Sequence, residues 1–324
     1  MAPTAHLTKS KRRRKWRLAL VPALVALLLV GGTATLNYPD QADWVNQARF
    51  NQLVSGVKAE TLAPDPATVA AREQALDQAR RYNDGLTSGA LINADQRIPV
   101  GAAEASPEAH AMYKSSLNHD PGGIMASIIV PKIDIELPIY HGTSDATLLK
   151  GVGHLEGTSL PVGGVGTHSV LTAHRGLASA KLFTDLDQVA QGDEFVIAVE
   201  GEALAYRVFN VQVVDPHDTT AIQPDSAKDL VTLVTCTPLG VNSHRILVTG
   251  ERIIPTPDDA EQAAKADPPL GFPWWIVFDA LALVFGALYV WRAGLYRPAA
   301  PGDPESSETS SLEQTITLGA PPTP

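Results

Sequence analysis

The chain has 324 residues, of which 44% are hydrophobic and 19% charged, a composition that allows one or two folded domains with a sizeable core. Its formal net charge is −10, and Lys9, Lys11, Arg12, Arg13, Arg14, Lys15 and Arg17 crowd into the N-terminus, so the remainder is clearly acidic and disfavours a nucleic-acid role for the main domain. The single cysteine, Cys236, excludes an internal disulfide and any thiolate metal cluster.

After the basic cluster (residues 1–17) comes an apolar segment over 18–36, read either as a membrane anchor or as a signal segment that is cleaved. A second apolar run, 273–291, is flanked by Trp274, Trp275 and Tyr289 and followed by Arg292 and Arg297, which suits a transmembrane helix with an aromatic belt. Lys and Arg tend to stay in the cytoplasm, so two spans would put both termini inside and the middle of the chain outside. Asp279 interrupts the second run; it is either functional or a carboxyl tolerated in an anchor helix.

Between the two segments the pattern changes once. Residues 37–123 form an N-terminal region: helical spacing runs from Asp43 to Ala79, broken at Pro64 and Pro66, and resumes over Ala67–Tyr82. Residues 83–123 read as loop with a short helical piece near Glu108–Leu117. From residue 124 to 254 the period is that of strands: Ile128–Val130, Ile133–Leu137, Ser169–Thr172, Glu194–Val199, Ala205–Val214, Leu230–Val234 and Ile246–Val248. Seven or more strands with no long helix between them point to a closed or nearly closed barrel. Residues 255–272 form a Pro-rich acidic linker, and 292–324, rich in Pro, Ser and Thr, are expected to be a disordered cytoplasmic tail. No internal repeat is evident.

The chemistry concentrates at strand ends. Cys236 ends one apolar strand, and Arg245 heads the next, so thiol and guanidinium can meet across one end of a sheet. A thiol nucleophile needs a partner that favours the thiolate. Among nine histidines, His174 ends the strand Ser169–Ala173 just before Arg175-Gly176 turns the chain; His168 begins that strand and belongs at its other end. His244 alternates to the opposite face from Arg245. Arg245, which keeps its proton at physiological pH, is suited to be a fixed donor for an oxyanion or a substrate backbone, or to a plain salt bridge. No metal-ligand spacing occurs, and Gly163-Gly164-Val165-Gly166 lacks the Lys and helix of a phosphate loop and reads as a turn.

Thr232-Leu-Val-Thr-Cys236-Thr-Pro-Leu-Gly-Val-Asn-Ser-His-Arg245 resembles the signature of class C sortases, the pilin-polymerising transpeptidases of Gram-positive bacteria. Leu171–Leu177, Leu137–Thr143 and Gly151–Pro161 resemble further segments of that family in the same order, over roughly residues 38–254. The resemblance implies a mainly β fold: a barrel of about eight strands with N-terminal helices, flanked by two transmembrane helices. It implies Cys236 as nucleophile, His174 as general acid/base, Arg245 as stabiliser, and Ala173 and Thr235 in the substrate groove, with no cofactor and no metal. The implied substrate is a pilin or surface protein with a Leu-Pro-x-Thr-Gly-like signal, cleaved between Thr and Gly through a thioester; the acceptor is an amine, a pilin lysine or a peptidoglycan precursor. The implied location is the cell membrane, with the catalytic domain outside. The family's Asp-Pro-aromatic lid motif is missing: Asp95 in Leu91–Pro99 is a degenerate lid anchor or an ordinary loop acid, and Asp120-Pro121 reads as a turn. Three other readings compete: a housekeeping sortase that anchors proteins to peptidoglycan, an L,D-transpeptidase, whose usual cysteine neighbourhood is absent here, and a non-enzymatic adhesion or scaffold domain with an inert Cys236.

Overall fold

The computed structural model describes residues 16, 18–62, 66–86, 107–118, 122–218, 220–266 and 270–295. Asp95, Asp120, Pro121, the basic N-terminal cluster and the tail beyond 295 lie outside the described residues. The chain divides into two units, one containing residues 1–36 and 276–324, the other residues 37–275.

In the first unit, α1 (Leu20–Leu36) meets α7 (Trp274–Leu295, of which the part from Ile276 belongs here). Gly286 makes the approach close, because a Cβ there would lie 3.3 Å from that of Ala26. The Trp16 indole donates to Trp291 O at 3.3 Å. Most large apolar side chains of both helices, among them Leu24, Leu28, Phe278 and Phe285, are exposed to the surroundings, as in a membrane-associated protein. Among the described residues α7 alone is long and apolar enough to cross a bilayer by itself; α1 has 17 residues and reaches that length only if joined to the helix after it. The expectation of two flanking spans is therefore met firmly at one of them.

The second unit is mainly β. Eight strands close a barrel in the order β1-β2-β3-β4-β7-β8-β6-β5. They are β1 (Ile124–Val130), β2 (Ile135–His141), β3 (Val152–His154), β4 (His168–Thr172), β5 (Glu194–Val199), β6 (Glu202–Val214), β7 (Leu230–Thr237) and β8 (His244–Arg252). Closure leaves no free sheet edge. Two neighbour pairs are parallel, β2 with β3 and β4 with β7; the others are antiparallel. Strand period 2 sorts the side chains. Leu171, Leu233, Ile246 and Val248 point into the main core with Phe195 and Tyr206, whose rings stack at 5.5 Å. Val170, Val234 and Leu247 form a second cluster on the outer wall with Leu155 and Ile222.

The second strand departs from its expected span. It begins at Ile135, because Pro131–Ile133 form a 3₁₀ turn that Asp134 leaves in a left-handed conformation (φ 53°). It also continues through Pro138, paired with Ser127. A Cβ on Gly151 would lie 2.6 Å from the Pro138 carbonyl, so that side of Pro138 faces Gly151. Its missing N–H falls on the same side, ahead of the β3 pairing that starts at Ile139, and no ladder bond is lost.

Helices α2 (Tyr38–Leu62), α3 (Pro66–Asp84) and α4 (Pro107–Ser115) precede the barrel, and α6 (Asp258–Lys265) follows it inside the segment expected to be a linker. Lys58 of α2 reaches Glu136 of β2 at 2.6 Å, both buried, and donates to Ala266 O. The Tyr113 ring of α4 is fully buried against His141 and His154. The Tyr113 hydroxyl accepts from Gly142 N (2.8 Å) and lies 3.0 Å from His154 O and 3.1 Å from His154 Nδ1. His154 Nε2 is 2.8 Å from Ser159 O and must carry the proton there, which makes Nδ1 the acceptor and the ring neutral. Burial, assisted by the charge of His141 and opposed by the Ser159 carbonyl, lowers the His154 pKa from 6.5 to about 4.

An acid sensitivity follows. An unfolded chain takes up a proton at His154 near 6.5, whereas the native barrel takes one up only near 4. The stability contributed is complete above 6.5 and lost as pH falls toward 4, a difference of about 3 kcal/mol. His141 and His168 are shifted down by burial too and add in the same sense. Thermal melts of wild type and His154→Gln between pH 7.5 and 4.5 should show a shallower decline in the variant; equal slopes would remove His154 from the account.

Candidate active site

The parallel pairing of β4 and β7 builds the site. In an antiparallel pair the ends of the two strands would lie far apart; here both C-terminal ends reach the same rim of the barrel. Thr172 is level with Val234, so two residues further His174 comes level with Cys236. The ladder's last main-chain bond runs from Ala173 N to Val234 O (3.2 Å), and the Thr235 hydroxyl donates to Ala173 O at 2.8 Å. Ala173 and Thr235, expected in a groove, are buried and form the strut beneath the rim.

Across the other edge of β7, Cys236 is directly paired with Arg245 of β8. Cross-strand partners project from the same face, here the outer wall shared with Val234 and Leu247. His244, opposite Thr237, points the other way and is exposed. The β7–β8 connection is tight: Val241 N and Asn242 N both donate to Pro238 O, and Asn242 takes the left-handed conformation (φ 60°) that asparagine tolerates. Arg245 is 2% exposed, and its Nη1 donates to Asn242 O and His244 O, each at 3.0 Å, which fixes the guanidinium plane. Burial pulls the Arg245 pKa below its ordinary value while the Cys236 thiolate pushes it up; a guanidinium this basic stays charged throughout.

Cys236 is 6% exposed and packs on Leu148, fully buried in the short helix α5 (Asp145–Leu148) that the Ser144 side chain caps by accepting from Thr147 N. His174 is half-buried, and desolvation lowers its pKa while the carboxylate of Asp145, at the other end of α5, raises it. One four-residue helix thus packs on the thiol and acts electrostatically on the imidazole. His168 lies at the far end of β4, held by Gln223 O and Thr232 Oγ1, away from this rim. Gly163–Gly166 is a turn whose Gly164 N donates to Asp229. Among the described residues no group of three or more His, Cys, Asp or Glu side chains could hold a metal.

The rim therefore joins a shielded thiol, an imidazole able to take or give a proton, and a fixed cation, on one outward-facing wall. Such a set can form and resolve a thioester. The family model for the sortase domain matches residues 128–253. Sortase C1 from Streptococcus agalactiae is 36% identical to the chain, which covers 100% of that structure with 63% of its own length at a TM-score of 0.56. Sortase A from Corynebacterium diphtheriae is 41% identical, with 96% and 66% covered and a TM-score of 0.55.

The chain belongs to the sortase family.

As a sortase it is a cysteine transpeptidase. Curated sequences agree more distantly: sortase D of Bacillus subtilis is 29% identical over 146 residues, covering 44% of this chain and 71% of that protein. Sortases named both A and C are thus among the relatives. Reading the sequence singled out Cys236, His174, Arg245, Ala173 and Thr235, and these converge on one rim. It gave no part to Asp145 or Leu148, which the fold brings to the same rim, and named Arg175 and Thr237 only as neighbours of His174 and Cys236.

Proposed function

We propose that this sortase cleaves a Leu-Pro-x-Thr-Gly-like signal between Thr and Gly and passes the acyl group to an amine, with a pilin lysine as acceptor and pilus assembly as the outcome. The observation that carries the proposal is the placement of Cys236 between two neighbours, level with His174 just beyond the end of β4 and paired with Arg245 on β8. The Cys236 thiolate adds to the Thr carbonyl carbon, and the Arg245 guanidinium stabilises the oxyanion. The C–N bond then breaks as His174 gives its proton to the departing Gly amine, leaving the acyl group as a thioester on Sγ. An incoming primary amine attacks that carbon and loses a proton to His174; the new amide forms, the C–S bond breaks, and thiolate and imidazolium are regenerated. Partial burial of the rim disfavours water as the competing nucleophile.

The preference for pilin polymerisation is supported by the similarity to sortase C1, while similarity to proteins named sortase A supports the second reading, attachment of surface proteins to the cell wall. The membrane segments are read with both termini in the cytoplasm and residues from about 38 to about 270 outside, given the basic residues before α1 and Arg292 at the end of α7.

The test offers the full chain, in detergent, a Leu-Pro-Glu-Thr-Gly peptide with equal concentrations of a lysine-bearing pilin peptide and an oligoglycine. Mass spectrometry should find the Leu-Pro-Glu-Thr acyl group on Cys236 and then on the lysine ε-amine. Transfer to oligoglycine alone would favour cell-wall attachment, and cleavage without an acyl-enzyme would defeat the mechanism.

A further inference from the structure

We infer that Arg175 and Thr237 are positioning residues, a clamp that sets how His174 meets Cys236; this rests on the proposed roles of those two residues and deepens them. The main-chain ladder between β4 and β7 ends at the Ala173 N–Val234 O bond, one residue short of His174. What holds the imidazole and the thiol in register beyond it is a matter of side chains. Each residue flanking His174 is tied to a residue flanking Cys236. On the inner side the Thr235 hydroxyl donates to Ala173 O at 2.8 Å. On the outer side Arg175 Nη1 donates to Thr237 Oγ1 at 3.1 Å.

The outer tie is itself anchored. Arg175 Nε donates to Thr184 O (2.9 Å), and its Nη2 to Asp187 Oδ2 (2.5 Å). Phe183 N donates to His174 O (3.2 Å), and Gly176 N to Thr184 Oγ1 (3.1 Å), so the segment that grips Arg175 also grips the backbone of His174. Gly176 has φ 76°, and a Cβ there would lie 2.5 Å from Leu239 Cδ1, so the β7–β8 connection rests directly on the turn that follows His174. The Arg175 side chain is 10% exposed, whereas Asp187 is 48% exposed. An ion pair that open adds little. The shielded arm of the fork, the one that reaches Thr237, is where a guanidinium has a directional role that a bulkier apolar residue could not supply.

A displacement of about 1 Å between reacting groups can cost about 100-fold in rate. Thr237→Val keeps the shape and removes the acceptor. In Leu-Pro-Glu-Thr-Gly cleavage by the full chain in detergent, it should lower kcat about 10- to 100-fold with KM within about 2-fold. Thr237→Ser restores the hydroxyl and should return kcat to within about 3-fold of wild type. Arg175→Gln breaks the tie from the other side, and the double variant should be no worse than the poorer single one, because both remove the same contact. Arg175→Gln also serves if Thr237→Val does not fold by near-UV circular dichroism. Unchanged kcat in Thr237→Val, or Thr237→Ser as damaged as Thr237→Val, overturns the clamp, as does full additivity in the double variant. Cys236→Ala and His174→Ala run alongside: if either stays active the proposed roles fail, and if both are dead while Thr237→Val matches wild type the clamp fails alone.

Discussion

Cys236→Ala is expected to abolish acyl transfer, a fall of about 10⁶ in kcat, the scale seen when a covalent nucleophile is deleted. No second thiol exists in the chain to inherit the step, and Cys236 is the residue level with His174 and paired with Arg245. His174→Ala should cost about 10² to 10⁴, the usual range for a positioned acid/base, because the leaving amine must then take its proton from water. The two losses should not add if, as proposed, both residues serve one step. Neither change should disturb the barrel. Cys236 touches a small outer cluster with Leu148 and not the main core, and His174 is only half-buried. Lost peptide turnover with an unshifted melting temperature is the expected pair of results. Retained turnover in Cys236→Ala would end the thioester mechanism.

Arg245→Lys should be nearly as instructive, with kcat lowered about 10²- to 10³-fold, the effect of removing one oriented oxyanion donor. Charge is conserved in this variant, so its defect isolates geometry. The guanidinium is planar, and two carbonyls, Asn242 O and His244 O, lock its Nη1 corner at 3.0 Å. The plane is thereby fixed relative to Cys236 across the β7–β8 pair. An ammonium can satisfy one of those carbonyls but cannot hold a plane, and it is more strongly hydrated, a penalty at a site that is 2% exposed. A variant that folds and turns over substrate at close to the normal rate would show that Arg245 contributes charge alone.

Sequence patterns revealed the strands better than their partners. Runs such as Leu230–Val234 and Glu194–Val199 announce themselves by β-branched residues, and seven of the eight strands were legible that way. The eighth, Val152–His154, is three residues long and contains glycine; it exists because β2 and β4 flank it, and Gly153 permits the approach, with a Cβ there 2.5 Å from Gly142 O. Parallel pairing of β4 with β7 leaves no local trace, since it depends on what the 57 intervening residues do, and a period of two says nothing of neighbours. The residues of the rim were legible because their chemistry is scarce: one cysteine, and an arginine at the head of the next strand. Asp145 and Leu148 were not, because an acid and a leucine in a one-turn helix are common and only the fold brings them to the imidazole and the thiol.

The long excursion between β4 and β7 has a temporal meaning. Ala173 and Thr235 touch across 62 residues of chain, and β5 and β6 must be threaded into the barrel before that contact can persist. Contacts of such high sequence separation form late, because loop closure is unfavourable until many pairings reward it together. A folding chain therefore carries a thiol without His174 beside it until β7 is seated against β4. On the proposed mechanism, competence to react arrives with completion of the barrel.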